Sequence, residues 1–255
     1  MKKLFSLLAL FLLLFFLLFL WEKEFKQNSK PDAPKIRNTS VLPINTQEAI
    51  NILYENREYL VYLGGLSGKT IWLIPNFLEE KSTKKIVEEN DCLLAINGGF
   101  YTKKGKPLGL FMVDGKKYEN ISSDKTLLTG FFYLDAKGEP NIANTFPNTA
   151  LTAFQSGPLF FQDKAASTKD DEPARRAVFI EARDKKIYAA IVVFKENRFS
   201  GPYLSDLPSI VFKIKEPFTV SRILNLDGGS ASFFYTKDGV YFQEQTNVGS
   251  IICIK

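Results

Sequence analysis

The 255-residue sequence is 45% hydrophobic and 24% charged, carries a net charge of +5, and contains two cysteines and no histidine. The missing histidine excludes Ser-His-Asp catalysis, Cys-His catalysis and HExxH zinc proteases, and two widely separated cysteines exclude Cys-rich zinc sites. The lysines are scattered without an arginine-rich stripe, so we expect no nucleic-acid partner. Any chemistry must therefore use carboxylates, arginine, lysine, tyrosine, hydroxyls or backbone groups.

The chain opens with a membrane-targeting segment. Lys2 and Lys3 precede an apolar run over residues 4–21, and no small-x-small cleavage site follows it. We expect residues 1–21 to be an uncleaved signal anchor with the folded domain outside the cytoplasm. The alternative is a cleaved signal peptide, which would make the protein secreted.

The next segment predicts a tether followed by one folded domain. Residues 22–44 are polar and contain three prolines, which is typical of a linker. Folded structure is expected over residues 45–255. Residues 45–48 have the spacing of a helix capping box, which predicts a short amphipathic helix continuing to Tyr54.

Two apolar runs, at 59–65 and 70–76, predict strands joined by a hairpin turn at residues 66–69. The string GGLSGKT at this turn lacks the glycine spacing and the following helix of a phosphate-binding loop. Residues 79–90 have the composition of a helix. The run at 92–96 predicts a buried strand that ends at Asn97-Gly98-Gly99.

Later segments repeat the pattern of strands that end in polar loops. Residues 105–135 predict a β-meander, and residues 154–161 place Ser156-Gly157-Pro158 within an apolar run. Arg175 and Arg176 open a strand that alternates, so one arginine can face a site while the other is solvated. The alternative is two solvated arginines at the mouth of the strand.

The strongest local signal is ILNLDGGSASFFY at residues 223–235, where two apolar runs flank Asp227 and two glycines. One interpretation is an active-site turn carrying Asp227, because paired glycines let a ligand approach the main chain. The other is a glycine bulge with a turn-capping aspartate. The whole pattern predicts an α+β fold with a strand-rich mixed or antiparallel sheet, a few helices, and active-site loops at strand ends.

The two cysteines, Cys92 and Cys253, each lie in an apolar, strand-like run. If those strands are neighbours, the cysteines could form a disulfide in an oxidising compartment. The alternative is two buried free thiols.

Four motifs together resemble those of the phosphodiester glycosidase family. They are INGGFY (96–101) with PLG (107–109), QSGPL (155–159), RRAVF (175–179) and NLDGGSAS (225–232). The resemblance implies hydrolysis of a sugar-1-phosphodiester at the anomeric C–O bond, on an extracytoplasmic glycan or envelope polymer. It implies catalytic roles for Asp227, Arg175 and Asn97. The implied substrate-binding residues are Gly98, Gly99, Ser156, Gly157, Arg176, Gly228, Gly229 and Ser230.

The sequence departs from the family pattern at two points. A second arginine, Arg176, follows Arg175, so either could face the site, and Ser230 stands after the two glycines with Ala231-Ser232 following. No metal or cofactor is indicated.

This chemistry suits the residues that the chain contains. A phosphate monoester is a good leaving group, so a guanidinium that neutralises its charge can replace much of a general acid. Asp227 would activate water or stabilise an oxocarbenium-like centre. The alternative function is a non-catalytic carbohydrate- or phosphate-binding envelope protein that uses the same cleft. Possible second carboxylates, which the sequence does not rank, are Asp114, Glu172, Glu181, Asp206 and Glu244.

Overall fold

The computed structural model of the protein describes residues 49–162 and 172–255. The expected anchor at 1–21, the tether at 22–44 and the capping box at 45–48 lie outside these residues. No helix within the described ranges has both the length and the apolar character needed to cross a membrane.

Strands dominate the described residues, as the apolar and aromatic runs predict, and every strand pairing among them is antiparallel. The strands are β1 (Ile50–Tyr54), β2 (Arg57–Gly65), β3 (Ile71–Pro75), β4 (Leu94–Asn97), β5 (Phe111–Val113), β6 (Lys116–Glu119), β7 (Gly130–Leu134), β8 (Pro140–Ala143), β9 (Thr152–Ser156), β10 (Leu159–Phe161), β11 (Arg176–Ala182), β12 (Ile187–Phe194), β13 (Val220–Asn225), β14 (Phe234–Thr236), β15 (Tyr241–Phe242) and β16 (Ser250–Ile254).

These strands form three sheets. The first has six strands in the order β1-β2-β12-β11-β13-β10, the second has five in the order β15-β14-β4-β16-β3, and the third has five in the order β6-β5-β9-β7-β8. The meander predicted from residues 105–135 is wrong, because β9 lies between β5 and β7 in the third sheet and β6 lies at its edge. The expected strand-rich architecture with few helices is confirmed, and its sheets are antiparallel.

Among the residues that the structure describes, two short α-helices pack against the sheets. The helix Thr83–Glu89 lies within the predicted 79–90 segment and buries Ile86 and Val87 in the same cluster as residues of the second sheet. The helix Leu207–Val211 lies in a region that the sequence left unassigned, and it packs with residues of the first sheet.

The predicted helix reaching Tyr54 is wrong, because residues 50–54 form β1. Glu55 and Asn56 both have positive φ angles, of 47° and 61°. Two successive residues with positive φ match the twist of a two-residue hairpin. β1 therefore pairs with β2, with Ile50 opposite Val61.

The predicted hairpin between the second and third strands is also wrong. β2 lies between β1 and β12 in the first sheet, whereas β3 lies at an edge of the second sheet beside β16. Leu66, in the connection, is fully buried in the core, and its N–H donates to the carbonyl oxygen of Ile187. The connection therefore passes between two sheets.

The main core lies where the three sheets meet. Phe132 of β7 stacks on Phe179 of β11 with ring centroids 4.5 Å apart, which joins the third sheet to the first. The same cluster contains Ile96 of β4 and Leu224 of β13, the strands that lead into the candidate site. Burial of this apolar surface fixes the relative positions of those strand ends.

Cys92 and Cys253 form a disulfide, with Cα atoms 5.4 Å apart. Cys92 precedes β4 and Cys253 lies in β16, which pairs with β4. Of the two alternatives that the sequence left open, the structure contains the bonded pair.

Candidate functional site

The Asp227 turn carries the chain from the first sheet to the second. The Leu226 N–H donates to Ala177 O in β11 over 2.9 Å, and the next N–H, of Asp227, donates to Gly98 O after β4 over 3.1 Å. Gly229 has a φ of +62°, a left-handed conformation that favours glycine. The turn is therefore a junction between sheets, with Asp227 at the point where the chain changes partners.

Asn97 holds both sides of this junction. Its Nδ2 donates to Asp227 O over 2.7 Å and to Gly98 O over 3.1 Å, while its Oδ1 accepts from the Phe233 N–H over 2.9 Å. The side chain is 1% exposed. Because both amide hydrogens already have backbone partners, the geometry makes Asn97 a positioning residue, whereas the sequence grouped it with the catalytic residues.

The Asp227 carboxyl is only partly accessible, and burial raises its pKa to about 7, with the Gly228 N–H acting in the opposite direction. Within the described residues, no salt bridge joins Asp227 to either arginine. A carboxyl with this pKa can exchange a proton near neutral pH, as a general acid or base requires.

Gly98 and Gly99 allow neighbouring segments to approach closely. A Cβ at Gly98 would overlap Ser250 Oγ, and one at Gly99 would lie 2.9 Å from Gln155 O. The Gly98 N–H also donates to Ser250 O over 2.9 Å. Both glycines thus serve packing between β4, β9 and β16.

The QSG segment supports the turn through Asn225. Ser156 Oγ donates to Asn225 O over 2.7 Å, and Asn225 Nδ2 donates to Gly157 O over 2.9 Å. Ser156 is fully buried. Gly157 has a φ of +153°, and a Cβ there would overlap Leu127 O. Ser156 and Gly157 therefore contact the end of β13, the strand that leads to Asp227.

Both arginines are buried, so both interpretations from sequence, with one arginine solvated or with two, are wrong. Arg175 is 2% exposed and Arg176 is 8% exposed. β11 is a central strand buried along its whole length, with β12 and β13 on its two sides, so alternation does not expose either residue. The reason is that packed elements cover both faces of this sheet.

The Arg175 backbone is tied to the Asp227 turn, because its carbonyl oxygen accepts from the Gly229 N–H over 2.9 Å and from Ser232 Oγ over 3.1 Å. Its Nη2 donates to Gln243 O over 2.9 Å. Its Nε is buried and has no hydrogen-bond partner in the described part of the chain. Burial lowers the Arg175 pKa, and the charge of Glu244 partly offsets this.

Arg176 makes a different set of contacts. Its Nε donates to Pro202 O and its Nη2 donates to Glu172 O, each over 3.1 Å. Its Nη1 lies 3.5 Å from the position that a Cβ on Gly228 would occupy. Both arginines therefore lie against Gly228, since the same Cβ would lie 3.2 Å from Arg175 O.

Ser230 is exposed and anchors the segment after β15. Its carbonyl oxygen accepts from the N–H groups of Gln245, over 2.7 Å, and Thr246, over 3.1 Å. This segment carries Glu244, which accepts from the Thr83 N–H over 3.1 Å and from Thr83 Oγ1 over 2.5 Å. Ser230 thereby helps to place Glu244 in the neighbourhood of Arg175.

The structure separates the possible second carboxylates. Glu244 acts electrostatically on Arg175, and the Glu172 backbone accepts from Arg176. Glu181 is buried in an ion pair with Arg222 near the other end of β11, at 2.7 Å. Asp206 precedes the helix Leu207–Val211, and Asp114 lies between β5 and β6.

Tyr101 and Ser250 also lie beside the turn, and sequence reasoning missed both. Tyr101 is the last residue of the INGGFY motif (96–101). Ser250 begins a strand of otherwise apolar residues, where nothing local indicates a site. Both hydroxyl oxygens are buried without a hydrogen-bond partner among the residues that the structure describes.

Two surface cavities lie away from the Asp227 turn. One surface cavity is lined in part by Ser122, Asp124 and Gln155, another by Asn76, Lys81 and Glu89, and neither contains Asp227 or an arginine. Over residues 49–162 and 172–255, no cluster of three or more cysteine or acidic side chains could hold a metal ion.

Comparisons with known proteins identify one matching family and two solved structures of similar fold. Residues 90–255 match the family described as phosphodiester glycosidase. The catalytic domain of zebrafish N-acetylglucosamine-1-phosphodiester alpha-N-acetylglucosaminidase, auto-inhibited by its pro-peptide, is similar in structure, with a TM-score of 0.58 and 15% identity over 87% of this chain and 86% of that chain. A putative exported protein from Burkholderia pseudomallei has a TM-score of 0.55 and 10% identity over 78% of this chain and 74% of that one. No curated protein matches the sequence. At these identities the structural likeness shows a shared fold.

Proposed function

This chain belongs to the phosphodiester glycosidase family, and from that membership we propose that it hydrolyses a sugar-1-phosphodiester at the anomeric C–O bond. The products are the free sugar and a phosphomonoester on the other group. The observation that carries the proposal is Asp227, whose partly accessible carboxyl has a pKa of about 7 at a junction held by the NGG segment on one side and Arg175 on the other.

Asp227 is the group that handles the proton. A water oxygen bonds to the anomeric carbon, the bond from that carbon to the phosphate oxygen breaks, and the electron pair leaves with the phosphate. Asp227 takes the proton that water gives up, or stabilises positive charge at the sugar carbon. The raised pKa suits it to the base role near neutral pH, because an effective base has a pKa close to the working pH.

Arg175 is the phosphate-binding residue in this proposal. Its unpartnered Nε is a buried donor, and an unsatisfied buried donor costs free energy that a phosphate oxygen would recover. The Arg176 guanidinium instead donates to the carbonyl oxygens of Pro202 and Glu172. These contacts favour Arg175 for the phosphate and a positioning role for Arg176.

We place the domain outside the cytoplasm and the substrate among extracytoplasmic glycans or envelope polymers. The Cys92–Cys253 disulfide supports this location, because such bonds persist in oxidising compartments. The apolar run at residues 4–21 would hold the protein at the membrane, and its cleavage would release a secreted form.

The test is an assay of the full-length protein in detergent on a panel of sugar-1-phosphodiesters and the matching simple glycosides. We expect the wild type to cleave diesters alone, and Asp227→Asn to lower kcat by about two orders of magnitude or more. Asp238→Asn, an exposed carboxylate in the next turn, is the matched control and should retain activity. If the folded protein binds anionic glycans yet cleaves no diester, the chain is a binding protein and the catalytic proposal fails.

A further inference from the structure

The loop after β15, residues 243–249, ties Arg175 to the helix Thr83–Glu89. The carbonyl oxygen of Gln243 accepts from Arg175 Nη2 over 2.9 Å. The next residue, Glu244, accepts from the Thr83 N–H over 3.1 Å with one carboxylate oxygen, and the other oxygen accepts from Thr83 Oγ1 over 2.5 Å. Adjacent residues of one loop therefore hold the arginine and the helix.

The helix gives Glu244 a well-packed partner. Thr83 is the first residue of the helix and is 1% exposed. The first N–H groups of a helix have no partner within it, so the Glu244 carboxylate satisfies one of them together with a buried hydroxyl. Hydrogen bonds to an ionised acceptor are stronger than bonds between neutral groups. Because the Gln243 carbonyl belongs to the peptide unit that leads into Glu244, fixing this side chain also restricts that carbonyl.

Other contacts hold the rest of the loop without Glu244. The Gln245 N–H donates to Ser230 O over 2.7 Å. Asn76 Nδ2 donates to Val248 O over 2.8 Å, in a buried position. Loss of the Glu244 side chain is therefore expected to loosen the start of the loop and to leave the remainder in place.

The Arg175 guanidinium depends on this anchor for its orientation. The side chain is 2% exposed, and its Nε is buried without a hydrogen-bond partner among the residues in the described ranges. A guanidinium is planar, so the bond from Nη2 to Gln243 O also sets the direction in which the Nε–H points. A donor that is already fixed loses less conformational entropy when it binds a phosphate oxygen.

We propose that Glu244 and Thr83 are positioning residues for Arg175, which act through the Gln243 carbonyl oxygen. The inference rests on the proposed function, in which Arg175 binds the phosphate. It also removes Glu244 from the possible second carboxylates, because the Glu244 carboxylate keeps its two bonds to Thr83 and exchanges no proton with the substrate.

Three variants separate the position of Glu244 from its charge, which matters because burial lowers the pKa of Arg175 and the charge of Glu244 acts in the opposite direction. Glu244→Gln removes the charge, but its amide can accept the Thr83 N–H and donate to Thr83 Oγ1. Glu244→Ala removes both bonds, and Thr83→Val removes one and nearly keeps the side-chain shape. Asn247→Ala is the matched control, because Asn247 Nδ2 joins a later position of the same loop to Glu80 over 3.0 Å.

Exchange of the Arg175 Nε–H with water reports the anchoring without relying on activity. It is followed by NMR of the full-length protein in detergent with 15N-labelled arginine, and Arg175→Lys assigns the signal. Glu244→Ala should speed this exchange about tenfold, the factor expected for losing roughly one hydrogen bond. Thr83→Val should act in the same direction, whereas Glu244→Gln and Asn247→Ala should match the wild type. Inorganic phosphate should shift the same signal and bind Glu244→Ala about tenfold more weakly.

The outcomes separate this inference from the proposed function. Wild-type exchange in folded Glu244→Ala and Thr83→Val overturns the inference, even if the protein cleaves diesters. Equal losses of kcat/KM in Glu244→Gln and Glu244→Ala also overturn it, because the carboxylate would then act in the reaction itself. If phosphate leaves the wild-type signal unshifted while Glu244→Ala exchanges faster, the anchoring is supported and the phosphate role of Arg175 fails. Thr83→Val gives the same readout if Glu244→Ala does not fold.

Discussion

The side-chain amide of Asn97 donates to the carbonyl oxygen of Asp227 over 2.7 Å, although the two residues are 130 positions apart in sequence. The same side chain accepts from the Phe233 N–H, on the far side of the turn. Asn97 therefore spans the base of the segment that carries Asp227, and the position of this carboxyl depends on β4 as much as on its own turn.

Replacing Asn97 should destabilise the fold and disturb the site together. Asn97→Ala leaves the buried Phe233 N–H and the Asp227 carbonyl oxygen without this partner, so we expect the free energy of unfolding to fall by about 2–4 kcal/mol, measured by urea denaturation. Below the unfolding transition, kcat on a diester should also fall.

Glu181→Gln is the control for this loss of stability. It weakens the buried pair with Arg222 near the other end of β11, so it should lower stability without changing kcat. If Asn97→Ala unfolds as easily as expected but keeps the wild-type kcat, the turn does not depend on Asn97 for its active geometry.

Much of the strand content could be predicted from sequence, because runs such as those in β2, β11 and β12 are rich in β-branched and aromatic residues. Which strands pair with one another could not be predicted from sequence. β2 and β3 are separated by five residues, which favoured a hairpin, yet the first pairs with β12 and the second with β16. Pairing is decided by which faces the whole core can bury, and a local pattern does not contain that information.

At the candidate site, too, the sequence predicts the segments that meet but does not predict the role of each side chain. The NGG, QSG, RR and DGG strings mark segments that the structure brings together, because polar and glycine residues interrupt buried runs there. Sequence could not tell which side chains support the turn and which remain unpartnered. Tyr101 and Ser250 are examples, since the burial of their hydroxyls follows from the packing of β4 against β16.

The two neighbouring arginines should respond differently to replacement by lysine. Arg175→Lys keeps the positive charge but removes the unpartnered Nε and the fork that suits phosphate, so we expect kcat/KM on a diester to fall about a hundredfold. Arg176→Lys loses bonds to two carbonyl oxygens and should mainly lower the melting temperature. Arg183→Lys, at an exposed position, is the control. A larger loss of kcat/KM for Arg176→Lys would assign the phosphate to that residue instead.

The disulfide should contribute to stability without contributing to the reaction. It joins cysteines 161 positions apart, and cross-links across long loops typically add about 2–5 kcal/mol to the free energy of unfolding. We expect the double variant Cys92→Ala/Cys253→Ala to have a free energy of unfolding lower by this amount. At temperatures below its melting temperature, it should keep the wild-type kcat. Reductant should lower the melting temperature of the wild type and leave that of the double variant unchanged. Equal melting temperatures with and without reductant in the wild type would contradict the prediction.

Asp227 should make the folded protein less stable as pH rises. Its pKa is about 7 in the folded chain against an ordinary value of 3.8, so between these values the folded state holds more protons than the unfolded state. Stability therefore falls as pH rises through this window and becomes level above pH 7. Asp227→Asn carries no such charge and should be the more stable protein at pH 8, by at most about 4 kcal/mol, with the advantage shrinking toward pH 4.

Urea unfolding between about pH 4 and about pH 9, which covers most of the interval between the two pKa values and the level region above it, measures this effect in wild type and Asp227→Asn. Asp238→Asn removes an exposed carboxylate one turn away and should show no pH-dependent difference from wild type. If Asp227→Asn gains no stability with rising pH, the carboxyl ionises in the folded protein as readily as in the unfolded chain, and burial does not hold its proton. If it gains stability while losing activity, the site keeps a buried carboxyl at a cost to the fold, as a group retained for proton transfer would require.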